Sequence, residues 1–159
     1  MRVEGIIEVI PELSACKVTI KTIACKDTIR EGNPDAAIKR IKEIAKKLTR
    51  RRFDPAVFMD ALYRAYKVHN DDTQEALLTE VQKDLWLNMQ PTGFWQSFEL
   101  SKACSYTTDE FSVDLSKLLS SGVVTTGQGR RLNLSTHGGG IPVYGQSGRY
   151  ELYKFISFT

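Results

Sequence analysis

The fold of this chain is decided most clearly by the stretch SYTTDEFSVDLSKLLSSGVV, residues 105–124. Thr107 is followed three residues later by Glu110, the spacing of a capping box, in which both side chains bind backbone amides at a helix start. Gly122 is a typical helix stop. Between them, apolar residues recur at helical spacing: Phe111, Leu115, Leu118 and Leu119. The pattern predicts a helix from Thr108 to Ser120 and then a strand that begins in VVTT.

Two earlier segments carry the same kind of helix signal. Asn33 and Asp54 can each cap free amides, and each precedes a proline, which suits the first helical position because no amide donor is needed there. The helix after Asn33 has one apolar stripe, made of Ile38, Ile41, Ile44, Ala45 and Leu48. A third amphipathic helix is expected to open at the Asp-Asp-Thr of residues 71–73 and to occupy residues 73–89.

Strands are predicted at both ends of the chain. RVEGIIEVI (2–10) and CKVTIKTIAC (16–25) are rich in β-branched residues and indicate a hairpin joined around residues 11–14. RLNLS (131–135) and RYELYKFISF (149–158) predict strands on either side of a glycine-rich excursion. We therefore predict an α+β fold whose N-terminal half is helical with a short β-hairpin. The best boundary is Pro91-Thr92-Gly93, which gives regions 1–90 and 91–159 with the helix at 73–89 shared, or one compact domain.

The second half of the chain resembles a winged helix-turn-helix domain. FELSKACSYTTDEFSVDLSKLLSSGVV (98–124) corresponds to the helix-turn-helix portion, and TTGQGRRLNLSTHGGGIPVYGQSGRYELYKF (125–155) to the strands and wing. The resemblance lies in the order of elements and in a helix that ends in Leu-Leu-x-x-Gly-Val before a strand. It implies a winged-helix-like C-terminal half. It also implies that the helix from Thr108 to Ser120 enters the major groove of DNA while the wing contacts phosphate or the minor groove.

The residues of that helix favour a structural role over base reading. It carries Asp109, Glu110 and Asp114 against Lys117, and it has no Arg, Gln or Asn. Carboxylates are repelled by a polyanion, and the missing residue types are those that read base edges. Acids in the first turn of a helix also stabilise its dipole, which explains Asp109 and Glu110 without a partner.

A basic block between Lys39 and Arg52 is the clearest candidate for binding. Its 14 residues hold eight Lys or Arg and one acid, Glu43, which is spaced to offset Lys39. Like charges one turn apart repel, so such a block suggests a negatively charged partner. We predict phosphate contacts from Lys46, Lys47, Arg50, Arg51 and Arg52. The alternative is that acids of the second and third helices neutralise the block within the fold, namely Asp60, Glu75 and Glu80.

A second set of cations lies in the predicted wing. Arg130, Arg131 and Arg149 stand among glycines, as does His137, and a glycine-rich backbone can approach a phosphate closely. These three arginines are predicted to assist binding. The alternative is a plain mobile hairpin without a ligand.

Catalytic and metal sites are not indicated. Cys16, Cys25 and Cys104 have none of the short spacings of a metal knuckle, and His69 and His137 lack a motif partner. We therefore expect no cofactor, no metal and no enzyme activity. No segment approaches the roughly 18 apolar residues of a membrane span, so the expectation is a cytoplasmic protein without membrane contact.

The bulk charge agrees with a nucleic-acid partner without requiring one, since the 159 residues carry 22 Lys and Arg against 19 Asp and Glu, a net charge of +3. The expected function is non-catalytic nucleic-acid binding, DNA over RNA and duplex over single strand, mainly through the backbone, as in a transcription regulator. The alternative is a protein-interaction module that uses the acidic helix as its contact. Phe94, Trp95 and Phe98 are expected to wedge the helical part against the winged part, the alternative being an anchor for a partner.

Overall fold

A computed structural model describes residues 2–3, 7–12, 17–22, 28–49, 51–69, 74–145 and 149–159. The chain forms two compact units, Met1–Arg52 and Phe53–Thr159. The sequence placed a boundary at residues 90 and 91 instead. The difference has a simple cause, because the helices between residues 53 and 90 share one hydrophobic core with the C-terminal strands.

The first unit is a helix on an antiparallel sheet. Its strands are β1 (Arg2–Val3), β2 (Ile7–Glu12), β3 (Lys17–Thr22) and β4 (Thr28–Glu31), in the order β1-β2-β3-β4. The predicted hairpin corresponds to β2 and β3, with Val9 opposite Ile20, and the sheet is larger than expected. Residues 13–16, at the predicted turn, lie outside the described part of the chain.

Helix α1 (Pro34–Thr49) covers this sheet and begins as the sequence predicts. The side chain of Asn33 accepts a 2.9 Å hydrogen bond from the amide of Asp35. Ala37 is buried with Ile7, Val9 and Ile20, and further contacts to this cluster come from Ile41, Ile44 and Ala45. The predicted stripe is wrong at Ile38, which is 50% exposed. Ala37 takes its place on the buried face, where a small side chain lets the helix approach the strands.

The described residues of the second unit include the α-helices α2 (Pro55–Lys67), α3 (Leu78–Asn88), α4 (Thr92–Ser97) and α5 (Thr108–Ser121), and a 3-10 turn at Leu100–Lys102. Asp54 caps α2, accepting hydrogen bonds from the amides of Ala56 and Val57 at 3.0 and 3.2 Å. The capping box of Thr107 and Glu110 and the left-handed Gly122 bound α5 as predicted. Helix α3 begins at Leu78, later than expected, and the expected start at 71–73 falls outside the described residues.

The strands of the second unit form a sheet and a hairpin. In the sheet, β9 (Phe155–Phe158) lies between β5 (Ala76–Leu77) and β6 (Leu132–Ser135). The hairpin pairs β7 (Ile141–Tyr144) with β8 (Tyr150–Tyr153). The strand predicted in VVTT is reduced to one isolated bridge, Thr125 to Arg131. The last predicted strand is divided into β8 and β9 at Lys154. The amide of Lys154 donates a hydrogen bond to the carbonyl of Ser135, and its carbonyl accepts one from the amide of Leu78.

One core joins these helices and strands. Its fully buried side chains come from α2, α3, α5, β7 and β9 and include Tyr66, Leu85, Phe111, Val143 and Phe158. The ring of Phe158 lies 4.9 Å from that of Tyr63 and 5.2 Å from that of Tyr66, between centroids. Helices and strands are thus both present and segregated along the chain, which confirms the predicted α+β class.

Candidate nucleic-acid interface

The outward side of α1 carries four exposed lysines that we call the basic face: Lys39, Lys42, Lys46 and Lys47. In the described part of the chain, none of the four forms an ion pair with an acid. Glu43 does not offset Lys39 as predicted, because its carboxylate lies 3.4 Å from the guanidinium of Arg40 instead. The helical rise places the first and last lysine about 12 Å apart along the axis. The basic face is therefore a short row of ammonium groups that lack an ion-pair partner among the described residues.

The fold of the first unit explains why these lysines point outward. The apolar stripe of α1 faces the sheet, so the remaining positions of the helix face solvent. Lys46 and Lys47 also occupy the last turn, where positive charge stabilises the helix dipole. That accounts structurally for two of the lysines but not for Lys39 and Lys42.

A shallow depression of about 470 Å³ runs along this side of α1. It is lined by Asp35, Ile38, Lys39, Lys42, Glu43 and Lys46. The exposed Ile38 gives it an apolar patch beside the ammonium groups. The stems of lysines can lie along such a patch while their charged ends remain in water.

The predicted arginines after α1 are only partly described. Arg52 is exposed and Arg51 is half-buried. Arg50 lies outside the described residues. Lys46, Lys47, Arg51 and Arg52 therefore all belong to the C-terminal end of the first unit.

The three acids that could have neutralised the basic block each have a partner in the second unit. Asp60 accepts a 2.8 Å hydrogen bond from the amide of Gly127. Glu75 accepts one of 2.8 Å from the hydroxyl of Ser135. Glu80 lies 2.9 Å from the ammonium of Lys83. These contacts give each acid a role in its own unit.

The predicted wing arginines occupy two separate segments of the second unit. Arg130 and Arg131 follow a tight turn in which the hydroxyl of Thr126 accepts from the amides of Gln128 and Arg130, at 3.2 and 3.1 Å. Arg131 is exposed and Arg130 half-buried. Arg149 is exposed and immediately precedes β8. They belong to a different unit from the basic face, so they form a second set.

The Gly138-Gly139-Gly140 excursion has a packing role that the sequence did not indicate. Gly140 has a φ of 130°. A Cβ atom at this position would lie 2.2 Å from the carbonyl oxygen of Tyr153. Only glycine permits so close an approach of two backbone segments at this φ. Gly140 therefore allows the start of β7 to pack against the end of β8, and its backbone is not available to bind a phosphate.

Helix α5, which the winged-helix resemblance places in the major groove, is largely buried. Eight of its side chains are buried: Asp109, Glu110, Phe111, Ser112, Val113, Asp114, Leu115 and Leu118. Strand β7 packs against it, since the hydroxyl of Ser112 donates to the carbonyl of Pro142 and the hydroxyl of Ser116 accepts from the amide of Tyr144 at 2.9 Å. The described surface of α5 thus offers little area to a groove.

The acids of α5 act inside the fold. Glu110 completes the capping box by accepting a 2.7 Å hydrogen bond from the amide of Thr107. Asp114 is 2% exposed and accepts a 3.0 Å hydrogen bond from the hydroxyl of Tyr106. The acidic helix therefore does not present the charged surface that the protein-interaction alternative assigned to it.

The aromatic segment around α4 is exposed to an extent that the sequence did not predict. Phe94 is buried, with its ring 6.3 Å from that of Trp86, as a wedge would be. However, Trp95 is 44% exposed, Phe98 70% and Leu100 80%. Apolar residues next to a short helix look the same in a sequence whether they are buried or not, so only the structure could reveal this surface.

Histidine and cysteine side chains form no recognisable catalytic constellation among the described residues. His69, in the turn after α2, contacts the carboxylate of Asp84 on α3. The ring of His137 packs on Phe155 at 5.5 Å. The thiol of Cys104 lies 3.5 Å from the carbonyl of Met89. Cys16 and Cys25 lie outside the described residues. No group of three metal-ligating side chains occurs in the ranges that the structure describes.

Comparisons with known proteins return no family model, no curated protein and no solved structure that matches this chain. None of the helices in the described residues is long and apolar enough to cross a membrane. Function must therefore be argued from the side chains of this molecule alone.

Proposed function

We propose that this chain is a non-catalytic nucleic-acid-binding protein that contacts mainly the phosphate backbone of double-stranded DNA through the basic face of α1. The observation that carries the proposal is the row of four exposed lysines, none of which has an ion-pair partner within the ranges that the structure describes. Action as a regulator in the cytoplasm belongs to the same proposal.

The basic face costs stability unless a partner neutralises it. Like charges one helical turn apart destabilise a helix by a few tenths of a kcal/mol per pair, roughly 0.2–0.5. Duplex DNA carries one negative charge per roughly 1.7 Å of its axis, together with condensed counterions. Binding of lysines to phosphates releases those counterions, which supplies free energy without any reading of sequence.

Backbone contact is favoured over base reading by the residue types and by the burial of α5. Lysine ammonium groups act as point charges toward phosphate, whereas base edges are usually read by the forked side chains of Arg, Asn and Gln. The helix that would read bases in a winged helix-turn-helix domain packs against β7 instead. We therefore expect binding with little dependence on sequence.

Arginines on both units would assist. Arg51 and Arg52 continue the positive charge beyond the end of α1, and Arg50 is expected to do the same. Arg131 and Arg149 are exposed on the second unit, with Arg130 half-buried beside them. These residues would add phosphate contacts to those of the basic face.

The test is a titration of a labelled random duplex with the wild-type chain and with a Lys42→Gln/Lys46→Gln/Lys47→Gln variant. Each phosphate contact contributes roughly fivefold in affinity near physiological salt through counterion release, so the loss of three contacts should weaken binding on the order of 100-fold. An Arg50→Ala/Arg51→Ala/Arg52→Ala variant measures the contribution of the adjoining arginines.

A matched control removes the same net charge elsewhere. Lys83 and Lys102 are ion-paired to Glu80 and Glu99 at 2.9 and 3.2 Å, and the ammonium of Lys154 lies over the ring of Phe155. Their triple replacement by Gln should leave duplex affinity within a fewfold of wild type. Equal losses in the two triple variants would mean that only total charge matters, and no wild-type binding at low salt would end the proposal.

A protein-interaction module is the second candidate, because Trp95, Phe98 and Leu100 form an exposed apolar surface. Surfaces of this kind mark interaction sites in many proteins. A Phe98→Ser/Leu100→Ser variant should lose a partner that co-purifies with the wild-type chain while keeping duplex affinity. A chain that remains without a stable partner counts against this candidate.

A further inference from the structure

Ile38 is an exposed aliphatic side chain beside the basic face of α1. Its side chain is 50% exposed, and among the described residues of α1 it is the one large apolar residue with such exposure. It lines the depression along this side of the helix together with Lys39, Lys42 and Lys46. The apolar side chain therefore lies among the ammonium groups that we propose to bind phosphate.

The stability of the first unit does not explain an isoleucine at this position. Ala37 occupies the buried face of α1 against the sheet, and Ile38 is not a member of that buried cluster. A β-branched residue is also a poorer helix former than Ala, Lys or Gln, because the preceding turn restricts its χ1 angle. A residue that neither burial nor helix propensity favours is expected where binding requires it.

The helix places Ile38 on the same side as Lys42. At roughly 3.6 residues per turn, a step of four residues rotates the helix by about 40° beyond one full turn. Lys42 therefore stands one turn after Ile38 and almost in line with it. Lys39 and Lys46 lie farther round the helix, in the direction away from the sheet. These three lysines thus form a ridge along α1, and Ile38 flanks that ridge.

The two acids that line the same depression both have a structural role. Asp35 lies in the first turn of α1, where negative charge stabilises the helix dipole. The carboxylate of Glu43 lies 3.4 Å from the guanidinium of Arg40, which neutralises it. The ridge of three lysines therefore keeps an excess of positive charge around Ile38.

Duplex DNA carries an apolar group close to its phosphates. The C5-methyl of thymine projects into the major groove, and apolar side chains contact it in protein–DNA complexes. This methyl stands beside the backbone of its own strand, next to the phosphates that the lysine ridge would contact. We infer that α1 binds at the edge of the major groove and that Ile38 contacts thymine methyl groups, so that A·T-rich duplex is preferred. The inference rests on the proposed function, because the lysines must hold α1 on the phosphates.

The preference is small because one methyl contact supplies it. Removing a methyl-sized group from water contributes about fourfold in affinity when burial is complete. Binding is therefore still governed mainly by the backbone, and the contact differs from base reading by forked side chains.

The experiment is a competition between two duplexes of equal length and phosphate count, labelled with different dyes and mixed with the full chain. One duplex has an alternating A·T sequence, and the other carries deoxyuridine in place of every thymidine, which removes only the C5-methyl groups. We expect the thymine duplex to bind about threefold more tightly. A second pair compares cytosine with 5-methylcytosine in a G·C duplex. The methylated duplex should be preferred to a similar extent, because it presents the same methyl group without the shape of A·T sequence.

Two variants assign the preference to its side chain. Ile38→Ala shortens the apolar side chain and keeps all the lysines, so it should bind the thymine and uracil duplexes equally. Val57→Ala trims an aliphatic side chain that is 62% exposed in the second unit, and it should retain the wild-type preference.

Equal binding of the thymine and uracil duplexes by wild type would overturn this inference and leave the proposed function intact. A preference that persists in Ile38→Ala would also overturn it. If wild type binds neither duplex at low salt, the proposed function and this inference fail together. Because the wild-type competition alone can refute the methyl contact, the test does not depend on the variant being folded.

Discussion

The backbone amide of Gly127 donates a hydrogen bond of 2.8 Å to the carboxylate of Asp60, which lies 67 residues earlier in the chain. This contact fixes the turn that precedes Arg130 and Arg131 to the side of α2. An exposed hydrogen bond to a charged acceptor contributes on the order of 1 kcal/mol. Asp60→Ala should therefore lower the free energy of unfolding by about 1 kcal/mol and speed hydrogen exchange at Gly127. Asp60→Asn retains an acceptor oxygen and should lose less, so equal losses in the two variants would contradict this role.

Tyr106 should be needed for the stability of α5. Its hydroxyl donates to Asp114, and the two residues are 7% and 2% exposed. Tyr106→Phe removes a donor from a buried carboxylate, which costs about 1–3 kcal/mol in the free energy of unfolding. Tyr144→Phe removes the same atom from a residue that is 42% exposed, and its effect should stay within about 0.5 kcal/mol. Denaturant unfolding of both variants measures the difference, and similar losses would refute the prediction.

Phe98 is held in the left-handed region, with φ of 54° and ψ of 25°, while its side chain is 70% exposed. This conformation costs a non-glycine residue roughly 1 kcal/mol. Phe98→Gly and Phe98→Ala both remove the ring, but only glycine relieves the backbone, so the glycine variant should be about 1 kcal/mol more stable than the alanine variant. At Gln96, inside α4, the order should reverse because glycine is the poorer helix former. If the glycine variant is the more stable of the two at both positions, or the less stable at both, the backbone strain at Phe98 is disproved.

The raised pKa of Tyr153 predicts a loss of stability at high pH. Its folded value of about 12 exceeds the ordinary 10.0. The unfolded chain therefore loses this proton first, so the contribution of Tyr153 is complete below pH 10 and disappears as the pH rises toward 12. The free energy of unfolding of wild type should fall more steeply over that window than that of Tyr153→Phe, in which the other tyrosines are unchanged. If the free energies of unfolding of the two proteins change in parallel with pH, the raised pKa of Tyr153 is contradicted.

Glu151 supplies the control for this titration. Its hydrogen bond and its charge both raise the pKa of Tyr153, although burial is the larger cause. In Glu151→Gln the charge is gone, so Tyr153 should titrate at a lower pH than in wild type but still above its ordinary value. The pH dependence of the Tyr153 ring signals measures this directly.

The features that the sequence predicted well are those satisfied within one turn of a helix. Asn33, Asp54 and the Thr107–Glu110 pair all cap helices as expected, and Gly122 ends α5. Each of these signals requires only residues within about four positions of each other, so no tertiary information is needed to read it.

The features that the sequence missed depend on contacts between distant segments. Whether Ala37 or Ile38 faces the sheet depends on how α1 docks on strands whose register comes from pairing. The burial of α5 depends on β7, about thirty residues later, folding back onto it. The basic face could be predicted because an excess of Lys and Arg within a short segment is read from the sequence directly, without knowledge of tertiary contacts.

The most direct test of the proposed function is the salt dependence of duplex affinity. If four to six cations of the basic face and the adjoining arginines meet phosphates, the logarithm of the binding constant should fall against the logarithm of salt concentration with a slope of about −4 to −5. The Lys42→Gln/Lys46→Gln/Lys47→Gln variant should reduce the magnitude of that slope by about 3. A wild-type slope near zero, or a variant with the wild-type slope, would contradict phosphate binding by the basic face of α1.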